Sequence, residues 1–497
     1  MTARVEQSVA VLRTVAGRTD PTAPLPLAAI ARPAGIGLST ASRLCAELAD
    51  AGLLRRADGY GTYGVGARAV ALSGRAAAAL GPTVHFELHR LAQDTAETVV
   101  LAAPETGGAR IVATVASGWT LHVPALIGDR VDDPRRALVR AASPDGTGEV
   151  IVESQIGRAV EIAVALTAPD GRRVAVLAVS LPVYRAARAR PRIRRLLTDA
   201  RHAFERALAR THRPEPAHDA APAADAAPAR GDDPSAAPIR AIEAAARMAE
   251  VVAASPRSVA AAAAAVGMRL DRARRLADAL VRTGLLARDA ETDALHVDPA
   301  IHAWHRAAFA PTLALDGPAR TAAAAERVGA CVFVTTLTGM RSFTMLEHIE
   351  PLGEGLRMSP WLGRPHPLVG SDGGPTLAMD FDAPQLAQLF PRRHGAGEYE
   401  QFVRRVERVR ADGTLTMRSI DEFGITSVSA PVRDAAGLVA AAACIVGATE
   451  DVSSRLPELR EAARALAADL SRDLGATCAA SIPVSAGVEF APIPSPR

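Results

Sequence analysis

One short pattern occurs twice in this 497-residue chain, 232 positions apart. The first copy runs from Gly35 through Leu38-Ser39-Thr40-Ala41-Ser42-Arg43-Leu44 to Ala51-Gly52-Leu53-Leu54. The second runs from Gly267 through Leu270-Asp271-Arg272-Ala273-Arg274-Arg275-Leu276 to Thr283-Gly284-Leu285-Leu286. Within each copy the two glycines are 17 apart. A repeat of this kind constrains architecture before any single residue does. A glycine that breaks a short helix ahead of an amphipathic one is the helix-turn-helix arrangement. The repeat therefore predicts two DNA-reading heads on one chain.

In the first copy Leu27, Ala28 and Ile30 form one face of a short helix that Gly35 ends. Ser39 or Thr40 is expected to cap the next helix. Its buried stripe is Leu44 and Leu48, at i and i+4, so Ser42 and Arg43 fall outside it. A recognition helix meets the major groove with such residues, so Ser39, Thr40, Ser42 and Arg43 are the candidate DNA contacts. Leu54-Arg55-Arg56 and Thr62-Tyr63-Gly64-Val65 read as a hairpin wing around Asp58-Gly59, a strong turn signal. Arg55 and Arg56 are candidate phosphate contacts, which supply affinity without reading sequence. In the second copy Arg272, Arg274 and Arg275 are the corresponding candidates. There Asp271 stands in place of Ser39, and Asp289, Glu291 and Asp293 crowd the wing; these acids oppose phosphate contact. A packing or pairing module is the alternative for that head.

Net charge is +3, so nucleic-acid affinity must come from local patches. All 57 basic residues are Arg. The four cysteines, Cys45, Cys331, Cys444 and Cys478, form no paired-ligand spacing, which argues against zinc fingers and disulfide scaffolds. No signal segment and no uninterrupted apolar run of membrane-spanning length is apparent, so a cytoplasmic protein without membrane contact is expected.

The expected fold class is α+β, with each winged head followed by a sensor domain of GAF or PAS type. The first head covers 5–75. The first sensor covers 82–211, with a helix over 83–96, strands near 98–102, 110–115, 160–166 and 173–179, and a closing helix over 193–209. A Pro/Ala linker follows at 212–238. The second head covers 239–301, the second sensor 306–475, and a disordered tail 476–497. The turn acids Asp170 and Asp434 are 264 apart, so the first sensor is 32 residues shorter than the second.

The run Gly35 to Leu54 followed by Tyr63-Gly64-Val65-Gly66 resembles the IclR family of bacterial transcriptional regulators. It keeps Gly35, Ser39, Thr40, Arg43, Leu44, Tyr63 and Gly66, and departs from the family pattern at Gly37 and Gly64. In the second half, Phe423 to Ala441, with Ala430-Pro431-Val432-Arg433-Asp434 and Gly437, resembles the strand pair of the family's sensor. Ser371-Asp372-Gly373-Gly374-Pro375-Thr376-Leu377-Ala378 resembles a further sensor segment but lacks its Lys. The resemblance implies a DNA-binding regulator, not an enzyme, whose partners are double-stranded promoter DNA and a small-molecule effector. Homo-oligomers are typical of the family, and a fused chain could instead form an intramolecular pseudo-dimer. The first sensor lacks the central helices expected near 373–390 and 398–409, which places the working pocket in the second.

By motif register the effector-binding candidates are Ser371, Gly373, Met417, Ser427, Cys444 and Val446. Where relatives that take carboxylic acids place polar groups, this chain has Met417, Cys444 and Val446. A more apolar or aromatic effector, or none, is expected in consequence, with Cys444 and Val446 alternatively serving as core. No cofactor or metal is expected. His348, His366 and His394 share no helical or tight ligand spacing. Ser427, Ser429 and Asp434 lack a nucleophile elbow. The competing reading is a protein-interaction or ligand-sensing module whose heads do not read DNA.

Overall fold

The computed structural model describes residues 2–18, 23–143, 150–211, 240–289, 292–351, 357–390, 396–420 and 422–476. The expected linker, all but the first residue of the expected tail, and Glu291, His394 and Cys478 lie outside these residues.

The chain opens with α1 (Thr2–Ala16), β1 (Leu25–Pro26), α2 (Leu27–Ala31), α3 (Leu38–Asp50), β2 (Leu54–Arg56) and β3 (Thr62–Val65). Gly35 and Gly52, at φ 64° and 74°, adopt the left-handed conformation that ends a helix without a Cβ clash. The α3 cap differs from expectation. The helix begins one residue before Ser39, with Gly37 as N-cap and no side-chain cap bond. The wing strands fall where expected, joined by the five-residue loop 57–61. Thr62 Oγ1 donates to the Gly59 carbonyl at 2.6 Å, and Gly61 takes φ 67°. A short pairing of β1 with β3 adds a third strand.

Next come α4 (Ala67–Ala77), α5 (Gly81–Thr95), β4 (Thr98–Glu105), β5 (Gly108–Val115), β6 (Arg130–Val131), α6 (Ala137–Ala142), β7 (Ile151–Ile156), β8 (Ala159–Thr167), β9 (Arg173–Pro182) and α7 (Val183–Thr211). The strands form one sheet in the order β6-β5-β4-β9-β8-β7, its pairs all antiparallel. Helix α7 starts ten residues earlier than the sequence suggested and runs through Pro191. Burial of Ile193, Leu197 and Ala200 against the sheet outweighs the hydrogen bond that proline forfeits.

The second half begins with α8 (Ala241–Ala254), α9 (Val259–Val266), α10 (Leu270–Arg282), β10 (Leu286–Arg288), β11 (Leu295–Val297) and a 3-10 turn over Pro299–His302. Gly267 and Gly284, at φ 70° and 67°, repeat the conformations of Gly35 and Gly52. Then follow α11 (Ala303–Val328), β12 (Cys331–Thr338), β13 (Arg341–His348), β14 (Pro365–Pro367), α12 (Gly374–Leu377), α13 (Ala383–Gln388), α14 (Ala396–Asp412), β15 (Leu415–Arg418), β16 (Ile425–Arg433), β17 (Val439–Ala448), α15 (Thr449–Ser454) and α16 (Leu456–Asp473). Their sheet has the order β14-β13-β12-β17-β16-β15. Helices α11 and α16 cover one face of it, through Leu313, Val328, Leu459 and Leu466. Helices α12 to α14 lie over the other, through Leu377, Leu386, Phe402 and Val406.

Candidate nucleic-acid interface and effector cleft

On α3 the face made of Ala41, Leu44, Cys45 and Leu48 is at most 1% exposed. The opposite face carries Ser39, Ser42 and Arg43, all exposed, with Thr40 half-buried beside them. Arg55 and Arg56 are exposed on the wing. Arg56 Nη2 lies 3.2 Å from Asp50 Oδ1, an exposed pair of little energetic weight that ties the wing to the end of α3.

The second head presents Arg274 and Arg275 exposed and Arg272 half-buried on α10, with Asp271 exposed in its first turn. Its wing acids are partly engaged by arginines. Arg288 pairs with Asp278 at 2.7 Å and with Asp293 at 3.4 Å. Arg172, in the turn between β8 and β9, reaches Asp289 at 3.8 Å.

The heads are packed on each other. Val5, Val9 and Leu12 of α1 meet Ile242, Ala245 and Ala249 of α8 in one apolar contact. Arg68 on α4 sits between two glutamates, with Nη1 2.6 Å from Glu243 and Nε 2.6 Å from Glu250. Arg13 Nη1 donates to the carbonyls of Thr283 and Gly284, each at 2.9 Å. A Cβ at position 284 would collide with that guanidinium, so this glycine serves both its turn and the neighbouring head. Arg282 and Glu6 close the contact at 2.7 Å.

A cleft lies on the inner face of the second sheet, beneath the β14–α12 connection. Four of the six sequence candidates line it: Ser371, Gly373, Cys444 and Val446. Met417 and Ser427 are buried on the adjoining strands and do not line it. Ser427 Oγ instead donates to the Met417 carbonyl at 3.3 Å. Gly373 keeps the cleft open, because a Cβ there would stand 2.7 Å from Thr335 Oγ1 and 3.1 Å from Cys444 Sγ. Ser342 donates to Ser371 at 2.7 Å and holds the floor of the turn. Burial pushes the Cys444 thiol up to about 12, so it remains protonated and packs as a small apolar group. Phe333, Met358, Trp361 and Ile425 give the walls an apolar character, and Asp372 and Glu422 add acids.

His366 also lines the cleft, its ring tilted against that of Trp361 with centroids 5.6 Å apart. The sequence pattern does not single out Trp361, and it brings up His366 only as a metal candidate. Both come to the cleft through the segment leading into β14, an edge strand with no periodic signal. Glu347 orders that approach by accepting the Trp361 and Leu362 amides at 2.7 and 2.9 Å.

No helix among the described residues is long and apolar enough to cross a membrane. No group of three or more His, Cys, Asp or Glu side chains among them could hold a metal ion.

Residues 5–58 match the IclR helix-turn-helix domain, and residues 320–472 match the bacterial transcriptional regulator IclR C-terminal domain. A search of curated protein sequences gave no match. Among solved structures, the chain is similar to a putative IclR-family transcriptional regulator from Rhodococcus sp., at 22% identity over 48% of this chain and 97% of that one, with a TM-score of 0.36. It is similar to HmgR of Pseudomonas aeruginosa, at 21% identity over 48% and 99%, with a TM-score of 0.34. It is also similar to an IclR homolog from Microbacterium hydrocarbonoxydans complexed with 4-hydroxybenzoate, at 18% identity over 47% and 100%, with a TM-score of 0.29.

Proposed function

We propose that this chain, which belongs to the IclR family of bacterial transcriptional regulators, is a tandem member in which two winged heads and two sensor domains are fused and paired within one polypeptide. Its DNA-binding and C-terminal effector-binding domains make it a regulator of transcription rather than an enzyme. In this reading the units are 5–75, 82–211, 239–301 and 306–475.

The first head reads a promoter. Ser39, Thr40, Ser42 and Arg43 enter the major groove, and Arg55 and Arg56 hold phosphates. The observation that carries this is the polar, exposed face of α3 set against its fully buried opposite face. The second head contributes Arg272, Arg274 and Arg275, and serves equally as the pairing partner that fixes the first head's orientation through Arg68, Arg13 and α8. The cleft around Ser371, Gly373, Cys444 and Val446 takes an effector with an apolar or aromatic body, because a buried protonated thiol and Val446 offer a free carboxylate little. The effector acts by favouring one arrangement of the heads over another.

The test is binding of the purified chain to its own upstream intergenic DNA, followed by fluorescence anisotropy. Arg43→Ala should weaken specific binding at least tenfold, within the roughly 1–3 kcal/mol of a base contact. Arg275→Ala should weaken it less, and unequally across the two halves of the site. No salt-sensitive specific binding by the wild type would favour the interaction-module alternative, since phosphate-driven affinity falls steeply with salt.

A further inference from the structure

A second cavity lies away from the cleft, at the seam between the two halves of the chain. It opens to solvent. Helix α5 and strand β5 form one side of it. The start of α11, the end of β12 and the β16–β17 turn form the other. No sequence motif pointed to it, because its walls come from segments as far apart in the chain as Gly81 and Ala440.

The chemistry of this cavity is unusual for a packing defect. Arg306 on α11 faces it. Its Nη1 donates to the backbone carbonyls of His302 at 3.1 Å and Val112 at 3.5 Å, and it forms no ion pair among the described residues. Burial pulls this guanidinium down to about 10, so it remains a cation at neutral pH. Asp434, across the cavity, is its electrostatic counterweight; Asp434 Oδ1 accepts the Ala436 and Leu438 amides of its own turn at 2.8 and 3.1 Å, and the carboxylate does not reach Arg306 as an ion pair. A buried cation without a contacting anion is costly, and a ligand anion relieves that cost.

Three histidines line the same space, each with a buried ring nitrogen that has no partner: His85 Nε2, His89 Nδ1 and His305 Nε2. His305 is 4% exposed. Its Nδ1 lies 2.9 Å from Ser73 Oγ, whose own proton goes to the Ile301 carbonyl. His85 and His89 stand at i and i+4 on α5, a spacing that His348, His366 and His394 do not have. Among the described residues no third side chain is placed to complete a metal site with this pair. The remaining walls are apolar, chiefly Val84, Leu88, Phe309, Leu337 and Leu438.

We propose that this seam cavity is a second ligand site, distinct from the C-terminal cleft, and that it takes a small carboxylic acid with an apolar body. The carboxylate pairs with Arg306, His85 can turn an N–H toward it, and the body packs on Leu88, Phe309 and Leu438. Because the walls belong to both halves, a bound acid clamps α5, which continues from the first head through α4, to the second sensor.

The experiment is calorimetric titration of the full chain with benzoate, and with benzamide as its uncharged analogue. Three variants accompany the wild type: Arg306→Gln, Val84→Phe to narrow the cavity while keeping the charge, and Gly373→Val to block the cleft. Benzoate should bind the wild type and Gly373→Val alike, and benzamide should bind neither at the seam. Arg306→Gln and Val84→Phe should each weaken benzoate at least tenfold while unfolding as cooperatively as the wild type. Benzoate binding that survives Arg306→Gln but is lost in Gly373→Val would overturn the seam site and leave the cleft reading intact. Absence of benzoate binding to wild type and Gly373→Val would also overturn it.

Discussion

The two six-stranded sheets share strand order and even their irregularities. Bulges fall between Leu101 and Ala102 in one and between Val334 and Thr335 in the other, then again at Leu166/Thr167 and Val432/Arg433. What differs is the cover of the inner face. In the first sheet α6 lies directly on the strands, and Leu138, Ala141 and Ala142 fill the space over Val100, Ile111 and Val176. Glu161, 4% exposed, pairs there with Arg136 and accepts the Leu138 amide at 2.8 Å. In the second sheet α12 to α14 replace that single helix, and Gly373 leaves a cleft over Cys444 and Val446. A sheet's topology therefore does not decide whether it holds a ligand; the insert between its third and fourth strands does.

The largest expected effect is on the filled sheet. Glu161→Ala leaves the half-buried Arg136 without its partner and the buried Leu138 amide without an acceptor, and should cost about 3 kcal/mol in denaturant unfolding. Effector binding in the second sensor should be unchanged once the protein is folded. Loss of both together would show that the sheets are less independent than their separate cores suggest. Gly373→Val should cost roughly 2 kcal/mol through overpacking against Thr335 and Cys444, and abolish any effector-dependent change in DNA affinity. A variant that still responds to effector would move the effector out of this cleft.

The heads sharpen the comparison further, since they are alike in their turns and unlike in their surfaces. Arg68→Ala removes the cation shared by Glu243 and Glu250, and should cost about 1 kcal/mol, given its partial exposure. Its greater effect should be on spacing preference: binding to a two-half-site DNA should become less sensitive to the gap between half-sites. A gap dependence identical to wild type would separate head pairing from DNA reading.

The smallest effect is on pH dependence. Burial raises Asp434 to about 6 from an ordinary 3.8 and lowers His85 to about 4 from 6.5. Between these limits the folded state binds the Asp434 proton more tightly, so that group gains stability as pH falls. The unfolded state binds the His85 proton more tightly, so that group loses stability as pH falls. Asp434→Asn should therefore make acid destabilisation between about pH 6 and about pH 4 steeper than in wild type, as read from urea midpoints. An unchanged slope would mean that Asp434 titrates at its ordinary value.

Much of the local structure was legible in the chain because it depends on near neighbours. Glycines 17 apart mark both helix-turn-helix turns, and all four take the left-handed conformation. Short apolar runs located β4, β5, β8 and β9, strands that are mostly buried on both faces. The cap on α3 and the early start of α7 differ from expectation, because each depends on a competing bond or on packing that the local pattern does not carry. Strand β7 and helix α6 had no clear signature, since short elements with mixed burial give weak periodicity.

What the sequence determined by itself was the helix-turn-helix pattern, the α+β class and the resemblance to the IclR family, all of which follow from local spacing and motif. Only the tertiary structure decided which candidates share a space. It put Ser371, Gly373, Cys444 and Val446 on one cleft and left Met417 and Ser427 in the strands beside it. It joined the two heads through Arg68 and Arg13. It brought His85, His89, His305, Arg306 and Asp434 around one seam. The physical reason is that burial, charge pairing and cavity shape are set by contacts between residues far apart in the chain, which no local period records.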